Sequence, residues 1–241
     1  MRFRILIPVL ALTLSACGFV SNEPTQSSPA KSETPLPNVG DSLDAERAAR
    51  QFVKVVKTVE PIAEQECRER TSGVNCDFNI VVDDRPNQAP NAFQTLDKSG
   101  RPVLAFNIPL IATVKNADEL AFVMGHEAAH HIEAHIAKQK RNATAGAVIF
   151  GGIAAITGVG DSAVQTAQEV GASLGSRTYS KEFELEADRL GTVITHKAGY
   201  DPVRGAAFFT RIADPGDAFL GTHPPNAARI ETVRQTAASL N

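Results

Sequence analysis

Cysteine is scarce in this chain: three in 241 residues, at positions 17, 67 and 76. No second close pair accompanies Cys67 and Cys76, which argues against a thiolate metal site. An excess of positive charge is also missing. The formal net charge is −3, so nothing in the balance points to nucleic acid. No internal repeat is apparent, and nothing after Asn226 reads as tetratricopeptide-like. The apolar run Ile5–Leu14 falls well short of the roughly 20 residues that a bilayer crossing needs. It follows Arg2 and Arg4 and leads into Leu14-Ser15-Ala16-Cys17, so Met1–Ala16 reads as an export signal.

Residues 17–42 are expected to form a flexible tether. Pro24, Pro29, Pro35 and Pro37 lie there among Ser, Thr, Asn and Gln, with too few large apolar groups to bury a core. Residues 43–241 suit a single domain with a sizeable core. Without the signal, 22 basic and 27 acidic residues remain, a net of −5. Cys67 and Cys76 are then an even pair in an oxidising compartment and read as a short disulfide loop, contributing about 2–3 kcal/mol.

Leu43–Arg70 is helical in pattern, with Phe52, Val55, Val56, Val59, Ile62 and Ala63 at spacings of three and four. Pro61 is expected to kink or divide it. Phe78–Val82 and Val103–Ile108 read as strands, with turns across Asp83–Pro102. A strand edge just before the next helix offers main-chain pairing to an extended peptide. Ala117–Lys140 contains no proline and one glycine, Gly125, and is expected to be one helix capped by Asn116 or Asp118. Asn142–Gly160 carries no charge in nineteen residues. A single membrane crossing there would separate His126 and His130 from every later ligand candidate. A hairpin is expected instead, Asn142–Thr157 running out and Ser162–Leu174 running back. Packing as a lid over the site is preferred to dipping into a membrane surface. Ser180–Ala198, Pro202–Ile212 and Asn226–Leu240 complete an α+β fold, predominantly helical with a small β-sheet.

The chemistry centres on His126-Glu127-Ala128-Ala129-His130. Four helical residues turn through about 400°, so both imidazoles rise on one face, can share one metal ion, and leave Glu127 able to reach a water bound to it. A hydrolytic zinc needs a third protein ligand and an open position. Glu182, Glu184, Glu186, His196 and His223 are the candidates downstream. Glu182 and Glu186 share a helix flank with Arg189 and Lys197, where a solvated charge network is the plainer account. Glu184 and Asp188 share the other flank with Gly191 and Thr195. Glu184 is therefore preferred to Glu186 as ligand, with Asp188 holding a ligand histidine by its far ring nitrogen. His131 is expected to be exposed, and His135 to lie half a turn from His126, unable to join the same metal. His196 is expected in a helix's last turn.

Four elements resemble one family in order and spacing over about Asn91–Arg234: the His126–His130 motif, Glu184-Leu185-Glu186-Ala187-Asp188-Arg189, Gly199-Tyr200-Asp201-Pro202, and Thr222-His223-Pro224-Pro225 with Arg229-Ile230. The family is that of the HtpX-like and CAAX-prenyl-protease-like zinc metallopeptidases, and the chain is most similar to its periplasmic BepA- and LoiP-like branch. The resemblance implies a zincin-like (gluzincin) domain with one Zn²⁺ per chain on His126, His130 and Glu184. It implies Glu127 as general base and His223 as a donor to the oxyanion that can also close off the metal; a turn histidine capping the last helix is the alternative for His223. Arg229 would brace that loop. Cys17 resembles a lipobox cysteine, implying a lipid anchor, and Gly18 after it favours the outer membrane. The expectation is a lipid-anchored, periplasm-facing zinc endopeptidase acting on misfolded or mis-assembled envelope proteins. It would take protein or peptide substrates and bind no nucleic acid, and its protein partners cannot be named. The rival is an outer-membrane-protein assembly factor with little or no catalysis, its site kept shut by His223.

Overall fold

Apolar residues three and four apart wind the first described segment into helix α1, Val39–Arg70, which buries Phe52, Val55, Val59, Ala63 and Cys67 along one stripe. The structure is a computed structural model in which residues 39–177, 180–214 and 224–240 are described. Cys17, the export signal and His223 lie outside them. The helix begins ahead of the expected boundary at residue 43. The expected division at Pro61 does not occur, and α1 runs through it as one element. The lost main-chain hydrogen bond is offset by the continuous buried stripe on either side. Cys67 and Cys76 are joined as a disulfide with Cα atoms 5.7 Å apart, and the Thr71 hydroxyl donates to the Cys67 carbonyl at 2.7 Å.

The sheet has three strands, not two: β1 (Asn79–Asp83), β2 (Ala92–Leu96) and β3 (Pro102–Asn107). Their order is β1-β3-β2, with β1 parallel and β2 antiparallel to β3. Strand β2 falls inside the stretch expected to be turns. Its five residues are hidden between turn formers, and the hairpin turn to β3 is built by Asp97, whose carboxylate accepts from Ser99 N at 2.8 Å and Arg101 N at 3.0 Å, with Gly100 at φ +85. Strand β3 is therefore central, and among the described residues the unpaired edges are the outer sides of β1 and β2 rather than β3. Asn107 ties the approach to β2 down. Its Oδ1 accepts from Leu110 N, capping α2 (Ile108–Thr113), and from Asn91 N, while its Nδ2 donates to the Ala89 carbonyl at 2.6 Å.

Helix α3, Ala117–Ile132, starts on Asn116, whose side chain accepts from Glu119 N at 3.0 Å. It does not continue to Lys140. Ala134 takes φ +53 and a new helix, α4, begins at His135. A left-handed alanine costs about 1–2 kcal/mol, and the reversal buries the His135 ring with both nitrogens hydrogen-bonded. Helix α4 (His135–Ile156) and α5 (Asp161–Arg177) form the expected hairpin. They touch backbone to backbone where Gly146 meets Gly171 and Gly175 meets Asn142, because a Cβ at any of these glycines would strike the facing main chain. The hairpin's outer part is not packed over anything among the described residues: Val148 is 67% exposed and Ile156 86%. The lid placement is thus not what the structure shows. No described helix is long and apolar enough to cross a membrane.

Helix α6, Ser180–Lys197, lies against α3. At Gly125 and Gly191 a Cβ on either residue would come within 2.9 Å of the other helix's backbone. Gly199 at φ +80 ends the run. Asp201 then caps α7 (Pro202–Ala206), accepting from Val203 N and Arg204 N. A 3₁₀ turn (Ala207–Thr210) and α8 (Asn226–Ala238) follow. Two buried acids at the start of α3 tie these later segments down: Asp118 accepts from Asp201 N and pairs with Arg204, and Glu119 is gripped by both terminal nitrogens of Arg211. On α1, the buried Glu66 pairs with Arg70 and Lys197.

Gly191→Ala is expected to push α6 off α3 and lower stability by about 1–3 kcal/mol, read by chemical denaturation; unchanged stability would show that the close approach is not required. Burial raises the Glu66 pKa, but hydrogen bonds to Lys197 and Arg70 outweigh it, and the net direction is down. A lowered folded-state pKa stabilises above the unfolded value near 4.5, and this is lost as pH falls through the folded value. Glu66→Gln should therefore cost about 1–2 kcal/mol at pH 7 and progressively less below pH 4.5, as followed by thermal melting.

Candidate metal centre

Helical spacing alone stacks His126 over His130 on the face of α3 that meets α6, and the glycine contact brings Glu184 opposite them. His126 Nε2 lies 3.0 Å from His130 Nε2. Glu184 places one carboxylate oxygen 3.5 Å from His126 Nε2 and the other 3.4 Å from His130 Nε2. Tetrahedral ligands at the usual zinc bond lengths stand about 3.3–3.4 Å apart, so these donors already have a metal ion's edge lengths. Among the described residues they are the one such group of three. Glu186, the alternative ligand, faces elsewhere.

His126 is held from behind. Its Nδ1 is 2.9 Å from Asp188 Oδ1, and Asp188, wholly buried, receives a two-pronged grip from Arg229 at 2.8 and 2.7 Å. Arg229 lies 3.9 Å over the Phe209 ring and 3.5 Å from Glu184. Burial raises the Asp188 pKa, but Arg229 and His126 outweigh it and hold the carboxyl below its ordinary value. Burial and Arg229 likewise oppose a charge on His126, yet its bonds to Asp188 and Glu184 prevail and push the pKa up to about 9. A cation on Nε2 would take the place of that proton. Arg229 sits on Asp188; the His223 loop that it is expected to brace lies outside the described residues.

His130 has a different support. Its Nδ1 lies 2.8 Å from His135 Nδ1, and His135 Nε2 lies 3.0 Å from Glu186. Burial, first, and the nearby His130 and Lys138 push His135 down to about 4 against the pull of Glu186, so the ring is neutral. His135 is not among the three grouped donors, but it touches one of them. Glu186 is not a member of a solvated network with Arg189 and Lys197; it bonds His135 and Lys138. No pattern in the sequence could have shown this, because the break at Ala134 rotates His135 away from where a continuous helix would put it. His131 is half-buried rather than exposed; its Nε2 meets the Asn75 carbonyl at 2.8 Å and its ring edges onto Phe78, pinning the disulfide loop to α3. His196 is exposed in the last turn of α6, as expected.

Glu127, buried beside His126, opens onto a cavity of about 750 Å³. Its walls include the donors, Ala92–Gln94 of β2, and Phe208, Phe209 and Arg211. The outer edge of β2, unpaired among the described residues, thus borders the carboxylate and the three donors.

Comparison with known proteins agrees with this chemistry. The model for peptidase family M48 matches residues 50–237. The chain is 31% identical over 150 residues to a putative beta-barrel assembly-enhancing protease of Vibrio cholerae, covering 56% of this chain and 30% of the relative. It is 29% identical over 145 residues to the beta-barrel assembly-enhancing protease of Escherichia coli O157:H7, covering 51% and 28%. It is 28% identical over 173 residues to the mitochondrial metalloendopeptidase OMA1 of Saccharomyces cerevisiae, covering 67% and 47%. The matched part is less than half the length of each relative.

Asp188→Asn removes the charge that orients His126 and should weaken metal binding by about 10–100-fold, as measured by competition with a chelating dye. Wild-type affinity in that variant would remove Asp188 from the metal centre.

Proposed function

The chain belongs to peptidase family M48, and from that premise we propose that it is a zinc-dependent endopeptidase. The observation carrying this reading is the set of three donor atoms at tetrahedral spacing beside Glu127, in a cavity lined by β2. Two imidazole nitrogens and one carboxylate with an open fourth position are the donor set of a hydrolytic zinc site. His126, His130 and Glu184 would hold one ion per chain. When bound, zinc supplies a Lewis acid that makes water nucleophilic near neutral pH.

The chain's own groups account for the rest. The β2 edge would align an extended peptide by main-chain pairing. Glu127 would take the proton of the attacking water and return it to the leaving amine. The Asp188–Arg229 pair fixes the ring of His126 while the chemistry proceeds. His223 is proposed as the donor to the developing oxyanion.

We further propose that residues 1–16 direct export, that Cys17 carries a lipid, and that residues 17–42 tether the domain to the periplasmic face of the outer membrane. Substrates would be misfolded or mis-assembled envelope proteins. Support comes from the signal-like N-terminus and from the names of the bacterial relatives, which are assembly-enhancing proteases. An assembly role without proteolysis would leave Glu127 with nothing to do.

Zinc content and casein cleavage of the purified protein test the reading. Glu127→Gln should keep about one zinc per chain and lose cleavage by at least about 100-fold; His223→Ala should cleave more slowly through the loss of an oxyanion donor, and faster cleavage would instead assign His223 to closing the site at rest. Bound zinc with no cleavage in wild type or His223→Ala would instead favour the assembly role.

A further inference from the structure

We propose that His135 and Glu186 are positioning residues for the metal ligand His130, forming a relay that fixes which nitrogen of His130 carries its proton. The inference rests on the metal-site reading above and concerns two residues that this reading does not use.

The proton count decides the direction of the relay. The His130 Nδ1 to His135 Nδ1 separation of 2.8 Å needs one hydrogen between the two nitrogens. As a metal ligand through Nε2, His130 carries its hydrogen on Nδ1, so His135 Nδ1 must accept and the His135 hydrogen belongs on Nε2. If that hydrogen were on Nδ1, the bare Nε2 of His135 would face the Glu186 carboxylate at 3.0 Å, two acceptors in contact. His130 would then carry its own hydrogen on Nε2, pointing at His126 and Glu184 and blocking the donor. The arrangement that satisfies every contact is the reverse. His135 Nε2–H donates to Glu186, His130 Nδ1–H donates to His135 Nδ1, and the lone pair of His130 Nε2 is turned toward the other two donors. Lys138 donates to the same Glu186 oxygen at 3.1 Å.

The fold is arranged to deliver this contact. On an unbroken helix His135 would sit about 140° around from His130. The turn at Glu133–Ala134, with Ala134 at φ +53, brings it back to the metal side at the start of α4. There its ring is 2% exposed and stacks on Phe183 at 4.7 Å with 16° between planes. Phe183, Glu184 and Glu186 all come from α6, so one helix supplies a metal ligand, the surface on which the relay ring rests, and the relay's anchor. The two histidine ligands are thus oriented differently, His126 by a carboxylate locked to an arginine and His130 by a neutral imidazole locked to a carboxylate.

Substitutions at His135 separate positioning from packing. Phenylalanine keeps the stack and the volume but removes the acceptor; asparagine loses the stack but offers Oδ1 near the place of Nδ1. Zinc affinity of the full chain, by competition with a chelating dye, should fall about 10–100-fold in His135→Phe and recover most of that loss in His135→Asn. The visible absorption of bound Co²⁺ should shift in His135→Phe and return in His135→Asn. Packing alone predicts the opposite order, and phenylalanine binding as wild type, or asparagine binding more weakly than phenylalanine, would overturn the relay. Should His135→Phe not fold, Glu186→Gln on the half-exposed Glu186 carries the same test: affinity should fall, and an unchanged value overturns the proposal. Folded wild type that binds no zinc would instead fail the metal reading itself, and the relay with it.

Discussion

The backbone contact between α3 and α6 at Gly125 and Gly191 is the constraint on which the site depends. Two helices carrying ordinary side chains pack with axes 8–10 Å apart; here each glycine leaves room for the other helix's main chain. Only that approach lets a short carboxylate on one helix reach imidazoles on the other at metal-ligand spacing. His126 directly follows Gly125, so the point of closest contact and the first donor are adjacent in sequence. The closeness also explains why Thr195 can send its hydroxyl to Gly191 on its own helix and lie near the Ala121 carbonyl on the other.

Around this contact the molecule buries several charges, and the carboxylates that tie helices together are paired. Asp188 with Arg229, Glu119 with Arg211 and Asp118 with Arg204 all link the α3–α6 pair to the C-terminal segments. Breaking such pairs by removing one partner is costly, because the remaining charge stays buried. They serve less as net stabilisers than as devices that allow one arrangement of helices and no other. Arg229 shows this most clearly: it neutralises Asp188, rests on Phe209 and approaches Glu184, so α8 reports directly to the metal donors.

Beyond the centre, the structure divides into a part that is packed and a part that is not. Strand β2 and the 3₁₀ turn both line the cavity, where β2 offers an edge unpaired among the described residues, with apolar and cationic surroundings. The α4–α5 hairpin, by contrast, is held to itself through its glycines and leaves Val148, Ile149, Ile153 and Ile156 exposed. Its small residues serve contact between its two helices rather than contact with the domain.

The spacing of His126, Glu127 and His130, the stripe of α1, the cap at Asn116 and the carboxylate flank of α6 are local facts of a periodic chain. They were legible because helix geometry converts a spacing of four into a shared face. The preference for Glu184 over Glu186 and the pairing of Asp188 with a ligand histidine followed from the same wheel. What the sequence could not contain was anything set by a departure from regularity or by contact at long separation. The third strand is masked by the turn residues on either side of it, so pattern alone puts the free edge on β3. The left-handed Ala134 ended the motif helix eight residues early and moved His135 onto His130, because a single backbone torsion redirects everything after it. Arg229 found Asp188 across 41 positions only once α8 had docked. Local periodicity therefore determined which residues can act together within one helix. Tertiary structure decided which groups hold them in place, because orientation depends on distances that no spacing along the chain encodes.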